Sequence, residues 1–320
     1  MREKREKKKQ NWFVRMFIPW KGDRAGDIAL KLVSVAALVA FVVSAGYLGN
    51  YYWESYQNRS KTDNLVQLYK GPQESNSADS TASEAPPMTQ EQKFAALLAE
   101  NPDTVGWVEV PGTGISLPVV QAKDNDYYLR RDFYGDYDKY GTAFIDYRNT
   151  LDPNSTNTII YSHNMKDGRM FGELMGYEKL DFYKAHPVFT FDTPKQQQTF
   201  KVFAVFVATT EAKYGEVFNY HDFIQADSEE AFNSFLAEVN KRNLLKTAVD
   251  VKFGDELATL STCTYEFNRP GRSVDARLVV VGRKVRPDED AKVDVSAASL
   301  NDSALMPDIW YEINNVAKPS

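Results

Sequence analysis

Two stretches near the C-terminal end of the 320-residue sequence decide the fold: "ELATLSTC", residues 256–263, and "RLVVVGRKV", residues 277–285. Each is a short run rich in apolar and β-branched residues, and a polar connection with Pro and Gly separates them, as between neighbouring β-strands. Six similar runs precede them, at residues 105–110, 116–121, 142–147, 156–163, 188–193 and 199–209. Eight short strands with few helices predict a mainly β protein, either a closed barrel or a sandwich.

Two segments break this β pattern and predict helices. "MTQEQKFAALLAENP", residues 88–102, is amphipathic, with Thr89 as its expected N-cap and Pro102 just beyond its end. "SEEAFNSFLAEVNKRN", residues 228–243, carries apolar residues at helical spacing. The second helix is therefore predicted to be an insertion before the last two strands.

Cys263, the only cysteine of the chain, ends the first of the two decisive stretches. Alternation along that strand places Leu260 on one face and Ser261 and Cys263 on the other. A structural cysteine would sit more naturally on the face of Leu260, as a small hydrophobic residue. If the two last strands pair antiparallel, the end of one lies beside the start of the next, so we expect Cys263 and Arg277 to be neighbours.

An arginine beside a thiol has two chemical uses. Its charge lowers the pKa of the sulfur, and its planar donors stabilise the oxyanion that forms when the sulfur attacks a carbonyl. Arg277 has the same strand parity as Arg283, so we expect the face that carries both to be exposed. Arg269 and Arg272 are alternatives for this role, although they lie in the connection between the strands, where a solvated arginine is the simpler interpretation.

A nucleophilic cysteine usually works with a base, and histidine is the usual choice because its pKa lies near neutrality. His163 ends the predicted strand at residues 156–163 and opens a polar loop that contains glycine. We interpret it as the partner of Cys263. The other two histidines, His186 and His221, occupy positions that are more typical of packing or surface residues.

The N-terminal part has the pattern of a membrane anchor. Residues 1–31 carry ten Lys/Arg against four Asp/Glu, whereas residues 32–53 contain no charge. About 20 apolar residues cross a bilayer, and the basic flank predicts a cytoplasmic N-terminus with everything after the span outside. A cleaved signal peptide is the main alternative, but the long basic leader and the aromatic end of the span argue against cleavage. A buried core helix is the other alternative, but nothing on the segment is polar enough to define an outer face.

Composition predicts the remaining boundaries. Residues 54–88 have the composition of an extracytoplasmic tether, and residues 71–87, rich in Ser, Glu, Ala and Pro, should be flexible. Residues 89–286 form the predicted folded domain, which with one cysteine has no internal disulfide. Residues 287–320 begin as an acidic, polar stretch, and we expect a poorly ordered tail, with packing against the barrel as the alternative because of its aromatic patch "IWYEI".

Several of these segments together resemble the class B sortases of Gram-positive bacteria. "YSHNMKDGRMF" at residues 161–171, "TLSTC" at residues 259–263 and the arginine that opens "RLVVVGRKV" look like the histidine, cysteine and arginine motifs of that family. Residues 105–129 resemble the start of the sortase domain, and the helix at residues 228–243 suits the helical insertion of class B. The resemblance covers residues 89–286.

The resemblance implies an eight-stranded sortase-type β-barrel enzyme, anchored in the cell membrane by a single span. Its reaction cleaves a C-terminal sorting signal of secreted proteins and joins them to an amine of cell-wall peptidoglycan. By the same resemblance, Cys263 is the nucleophile that forms a thioacyl intermediate. His163 is the general acid/base that protonates the leaving amine, and Arg277 stabilises the tetrahedral oxyanion.

The resemblance also implies a substrate groove near the thiol. Ser261, Thr262 and the insertion at residues 209–246 are expected to help form it, and the amide of Thr264 is a candidate second donor to the oxyanion. Nothing resembles a phosphate-binding glycine loop, and no Asp/Glu/His cluster has convincing metal-ligand spacing. We therefore expect no cofactor, no metal and no nucleic-acid partner, with a calcium site in the acidic run at residues 132–147 as the alternative.

Two other functions are alternatives. A cell-wall L,D-transpeptidase also uses an extracytoplasmic Cys, His and Arg, but it typically places a Ser-His-Gly-Cys cluster before the arginine, and no histidine lies near Cys263 in the sequence. A membrane-anchored adhesin or assembly scaffold would explain the anchor, the tether and the barrel. It would leave the outward-facing thiol unexplained.

Overall fold

The structure is a computed structural model, and it describes residues 16–71 and 88–318. Its strands are β1 (Thr104–Glu109), β2 (Ser116–Val120), β3 (Ala143–Ile145), β4 (Asn157–Tyr161), β5 (Val188–Asp192), β6 (Thr199–Thr209), β7 (Leu245–Lys246), β8 (Leu257–Thr264), β9 (Ala276–Lys284) and β10 (Ser299–Leu300). Eight of them close a barrel in the order β1-β2-β3-β4-β8-β9-β6-β5, and β7 pairs with β10 in a separate small sheet. The barrel strands are the eight predicted ones, so the predicted mainly β barrel is confirmed.

The helices are α1 (Ala25–Lys70), α2 (Gln90–Glu100), α3 (Leu180–Ala185), α4 (Glu229–Arg242) and α5 (Asp308–Asn314). Thr89 and Gln92 form a capping box that begins α2. The Ser228 side chain accepts a hydrogen bond from the amide of Ala231 (3.1 Å) and begins α4. Both predicted helices are confirmed, and α4 precedes the cysteine strand as expected.

Inward-facing side chains of the strands fill the barrel with an apolar core. Its fully buried members include Val108, Val119, Ile145, Ile160, Ala258, Leu260, Leu278 and Val280. The predicted apolar face of β8, with Leu260, is therefore the inner face. Cys263 belongs to the outer one.

The outer face of β6, β8 and β9 is covered as well. Phe206 and Val279 from the strands pack with Phe232 of α4 in a second apolar cluster. Because this layer lies on the strands, Ser261 is 1% exposed. Arg283 is fully buried, so the expectation that its face is exposed was wrong along most of β9.

Helix α1 extends further than the predicted span. It is long and apolar enough to cross a membrane, with a mean hydropathy of 2.4 over its best window, a test that a signal sequence also passes. The helix continues to Lys70, so residues 54–70 of the predicted tether are helical. Residues 72–87, most of the predicted flexible part, lie outside the described residues. By its contacts the chain divides into two units, Met1–Lys61 and Thr62–Ser320.

The end of α1 lies within the second unit and packs there. The ring of Tyr69 stacks on Trp107, with 4.4 Å between ring centroids, and its hydroxyl donates to Asp192 (2.7 Å). Burial and this hydrogen bond to a carboxylate raise the pKa of Tyr69. The part of the predicted tether that ends α1 is thus packed helix.

The C-terminal tail is ordered over its described part. β10 pairs with β7 through Ser299 and Leu300, and Ile309 of α5 is 1% exposed within the barrel's core cluster. The expectation of poor order was wrong, and packing against the barrel is correct. The expectation was wrong because it was based on the acidic composition of the tail's first half, whereas the apolar residues that α5 buries lie in the second half.

Candidate active site

The parallel pairing of β4 and β8 brings His163 beside Cys263. The two strands are in register up to Tyr161 and Ser261, so the residues two positions further on, His163 and Cys263, meet at the same rim of the barrel. Asn164 ties the rim together because its side chain donates to the carbonyl of Cys263 (2.9 Å). Both residues share the strand face of their neighbours Tyr161 and Ser261.

The antiparallel pairing of β8 and β9 places Arg277 on the other side of the thiol. Cys263 and Arg277 are directly opposite each other in the ladder, as the sequence predicted. Side chains in such a pair have Cβ atoms about 4.5–5.5 Å apart. β8 lies between β4 and β9, so the cysteine lies between the histidine and the arginine.

The two alternative arginines lie elsewhere. Arg272 forms an ion pair with Glu312 of α5 (2.9 Å), and Arg269 donates to the backbone carbonyls of Glu266 and Asn268. Neither arginine lines the cavity beside the thiol. Arg277 is the arginine that this geometry pairs with the sulfur.

A cavity of about 360 Å³ opens beside these three side chains. It is lined by Asn125, Leu129, Phe144, Tyr161, Ser162, His163, Ala208, Thr209, Thr210, Val217, Phe218, Asn219, Tyr220, His221, Ser261, Thr262, Cys263 and Arg277. One wall comes from the insertion after β6, where the sequence predicted a groove. A second wall comes from Asn125, Leu129 and Phe144, to which the sequence had assigned no part in a groove.

A buried carboxylate supports both walls of the cavity. Asp146, whose side chain is fully buried, accepts hydrogen bonds from Arg148 (2.8 Å) and Asn125 (3.0 Å). Arg148 also donates to the carbonyl of His221 in the wall formed by the insertion after β6 (2.7 Å). Burial raises the pKa of Asp146, but the hydrogen bonds outweigh burial and hold it below its usual range.

In the acidic run at residues 132–147, carboxylates accept hydrogen bonds from nearby backbone amides. Asp132 accepts from the amides of Tyr134 and Asp136, and Asp138 accepts from the amide of Tyr140. Across residues 16–71 and 88–318, no group of three or more His, Cys, Asp and Glu side chains is arranged to hold a metal ion.

The ring of His163 is oriented by a backbone carbonyl. Its Nε2 lies 2.7 Å from the carbonyl oxygen of Leu129. Since a carbonyl only accepts, Nε2 carries a proton, and Nδ1 of a neutral ring is then free of one. Of the other histidines, His186 donates from Nδ1 to the carbonyl of Pro111 (2.8 Å), away from the cavity, whereas His221 lines the cavity wall.

The pKa of the Cys263 thiol is set by burial and by two neighbouring charges. Burial raises its pKa above the ordinary value, Arg277 opposes this, and Asp275 adds to it. The predicted effect of the arginine thus has the right sign, but burial outweighs it. The chemistry therefore needs a group that takes the thiol proton.

The three residues expected to bind substrate have different environments. Ser261 shares a hydrogen bond with the buried Tyr220 hydroxyl (2.7 Å), and Thr262 donates to the carbonyl of Ser162 (2.8 Å). Both line the cavity, but their hydroxyls already have protein partners. Thr264 is buried and does not line the cavity.

Known proteins resemble this chain in both sequence and structure. The family model of the sortase domain matches residues 108–285, more than half of the chain. Sortase B of Listeria monocytogenes is 31% identical over 80% of this chain and 96% of its own length. Among solved structures, a Staphylococcus aureus sortase B–substrate complex is 28% identical, with a TM-score of 0.60 over 74% of this chain and 100% of that one.

A second solved structure, a sortase B complexed with triglycine, gives a TM-score of 0.59 at 28% identity, over 73% of this chain and 100% of that one. The closed barrel and the rim formed by β4, β8 and β9 are consistent with these matches. The chain belongs to the sortase family and is a class B sortase transpeptidase.

Proposed function

We propose that Cys263 cleaves a C-terminal sorting signal and holds the released protein as a thioester until an amine of the cell wall takes it. The observation that carries this proposal is the order of the three strands at the rim. The nucleophile lies on the central strand, and the base and the oxyanion donor lie on its two neighbours.

The first half-reaction begins from the neutral thiol. His163 accepts the thiol proton at Nδ1, because Nε2 already donates to Leu129. The sulfur forms a bond with the scissile carbonyl carbon, and the carbonyl oxygen becomes an oxyanion beside Arg277. His163 then returns its proton to the leaving nitrogen as the C–N bond breaks, which leaves a thioester and a free amine.

The second half-reaction reverses this proton path. A neutral acceptor amine attacks the thioester carbon and forms a C–N bond while Arg277 again stabilises the oxyanion. The C–S bond breaks, and the proton lost by the amine returns to the sulfur through His163. The products are a new amide and the original thiol.

The substrate classes rest on family membership and on what relatives bind. One Staphylococcus aureus sortase B was solved with its substrate, and another sortase B was solved with triglycine, a peptide with a primary amine. The cavity of about 360 Å³ beside Cys263 suits a few residues of extended peptide. We infer a sorting-signal peptide as donor and a peptidoglycan amine as acceptor.

The same proposal includes the location of the enzyme. Helix α1 is apolar enough to span a membrane, and the basic residues before it favour a cytoplasmic N-terminus. The catalytic domain then lies outside, where secreted proteins and lipid-linked wall precursors emerge. The helix is the proposed single membrane anchor.

The test uses the full-length protein in detergent micelles with a library of pentapeptide sorting signals. We expect mass spectrometry to show an adduct of enzyme and acyl fragment, and addition of triglycine to release a ligated peptide. Cys263→Ala should form neither. Continued transfer by Cys263→Ala would refute the proposal, and His163→Ala serves as the matched variant that keeps the thiol but loses its base.

A further inference from the structure

The carboxylate of Asp275 lies next to the arginine at the rim. Both terminal nitrogens of Arg277 donate to it, Nη1 to one oxygen and Nη2 to the other (3.3 Å). A bidentate pair of this kind fixes the direction of a guanidinium as well as its charge. The Arg277 side chain is only 26% exposed, so the guanidinium and its pair with Asp275 lie in a confined space.

Asp275 is itself anchored from the neighbouring strand. The Thr210 hydroxyl donates to its carboxylate (2.8 Å), and the Thr210 amide donates to its backbone carbonyl (3.0 Å). Thr210 follows β6, which pairs with β9 through Ala208 and Arg277. Ala208 and Thr210 both line the cavity, so the anchor belongs to the wall of the site.

From these contacts we propose that Asp275 is a positioning residue for the transpeptidase reaction: anchored by Thr210, it holds the Arg277 guanidinium beside Cys263. This inference rests on the proposed role of Arg277. A free arginine side chain loses rotamer entropy when it is fixed in one place, and a pair formed in advance of the reaction removes that cost from the catalytic step.

The same loop contains a natural comparison. Arg272 also pairs with a carboxylate, Glu312, through a single contact of 2.9 Å. That pair lies away from the cavity lining. A change in Glu312 therefore reports the effect of losing a surface ion pair from this loop without touching the rim.

The experiment is a double-mutant cycle on the full-length protein, with the best pentapeptide of the library as substrate and single-turnover adduct formation as readout. With Arg277 present, Asp275→Asn should lower the rate of acylation about tenfold and change KM less than about twofold. In the Arg277→Ala background, Asp275→Asn should cause no further loss. Glu312→Gln should leave the rate unchanged.

Two results would overturn the inference. One is an equal loss from Asp275→Asn in both backgrounds; the other is no loss when Arg277 is present, although Arg277→Ala itself is impaired. A fully active Arg277→Ala enzyme would overturn the proposed role of the arginine as well, so the two failures are distinguishable. If Asp275→Asn melts at a lower temperature, Thr210→Val against Thr210→Ser gives the same comparison, because only serine keeps the hydroxyl donor.

Discussion

Arg277 and Arg283 lie on the same face of β9, near its two ends, yet they have opposite environments. Arg277 borders the cavity beside Cys263. Arg283 is fully buried and donates to Glu289 (2.7 Å) and to the carbonyl of Asp250 (2.9 Å). The two residues have the same type, strand and parity. These properties therefore do not determine whether an arginine is buried in ion pairs or borders the cavity.

The difference comes from what covers each end of the strand. Over Arg283 lies Glu289, which also accepts from Lys201 (2.6 Å), the residue paired with Arg283 across the sheet. One carboxylate from the start of the tail thus binds two neighbouring cations. Over Arg277 the insertion after β6 leaves a cavity instead. Coverage by distant segments therefore makes one arginine structural and leaves the other available for chemistry.

The largest effect that we expect comes from removing the arginine at the cavity. We expect Arg277→Ala to lower the rate of thioacyl formation about 100- to 1000-fold, the usual effect of losing one oxyanion donor. Its melting temperature should stay close to that of the wild type, because the side chain is partly exposed. Single-turnover mass spectrometry and a thermal melt measure the two quantities. A large loss of stability with normal activity per folded molecule would reverse the assignment.

The converse change removes the buried arginine. Arg283→Ala should lower the free energy of unfolding by about 2–4 kcal/mol, because it leaves a cavity and removes the guanidinium donors to Glu289 and to the carbonyl of Asp250. Arg283→Met, which keeps the volume, should cost less. Urea denaturation of the full chain in micelles, followed by tryptophan fluorescence, gives both values. The activity of the molecules that remain folded should be unchanged, and a rate loss like that of Arg277→Ala would contradict the comparison.

Much of the fold was predictable because its signals are local. Short apolar and β-branched runs bounded by turn residues located all eight barrel strands, and the expected N-cap at Thr89 marked one helix start. The burial of Ser261 and Arg283 was not predictable, because α4 and the segment around Glu289 cover them from far along the chain. The prediction of a poorly ordered tail was wrong for a related reason. Ile309 is buried only because it packs on the core of the barrel, which distant segments form.

The site shows the same limit. The pairing of Cys263 with Arg277 followed from two consecutive strands, whereas the meeting of Cys263 with His163 depends on the parallel pairing of β4 with β8, which periodicity does not reveal. In the sequence, the position of His163 at the end of a predicted strand and the lone outward-facing cysteine indicated that partner, and the resemblance to sortases supported it. Burial of the thiol, which raises its pKa, depends on the finished cavity.

The smallest effect we expect concerns the ionisation of the thiol. It compares the two arginines in the absence of substrate. Burial raises the pKa of Cys263 and Arg277 lowers it, so Arg277→Gln should move the pKa further up. Iodoacetamide reacts with the thiolate, and at each pH below the titration its rate should therefore fall a few-fold, roughly two- to fivefold. Arg283→Met should leave the pH profile unchanged, because Arg283 is not among the groups that shift the pKa of the thiol.

The same shift predicts the sign of a stability effect. Because the folded state raises the thiol pKa, it binds this proton more tightly than the unfolded chain does. The resulting stabilisation is complete below the unfolded pKa of the thiol and is lost as the pH rises through the folded pKa. Cys263→Ala should therefore lose less stability than the wild type between neutral and strongly alkaline pH in urea titrations. Equal losses in both proteins would contradict a raised thiol pKa in the folded state, and an Arg283→Met alkylation profile shifted as far as that of Arg277→Gln would show that the two arginines act on the sulfur alike.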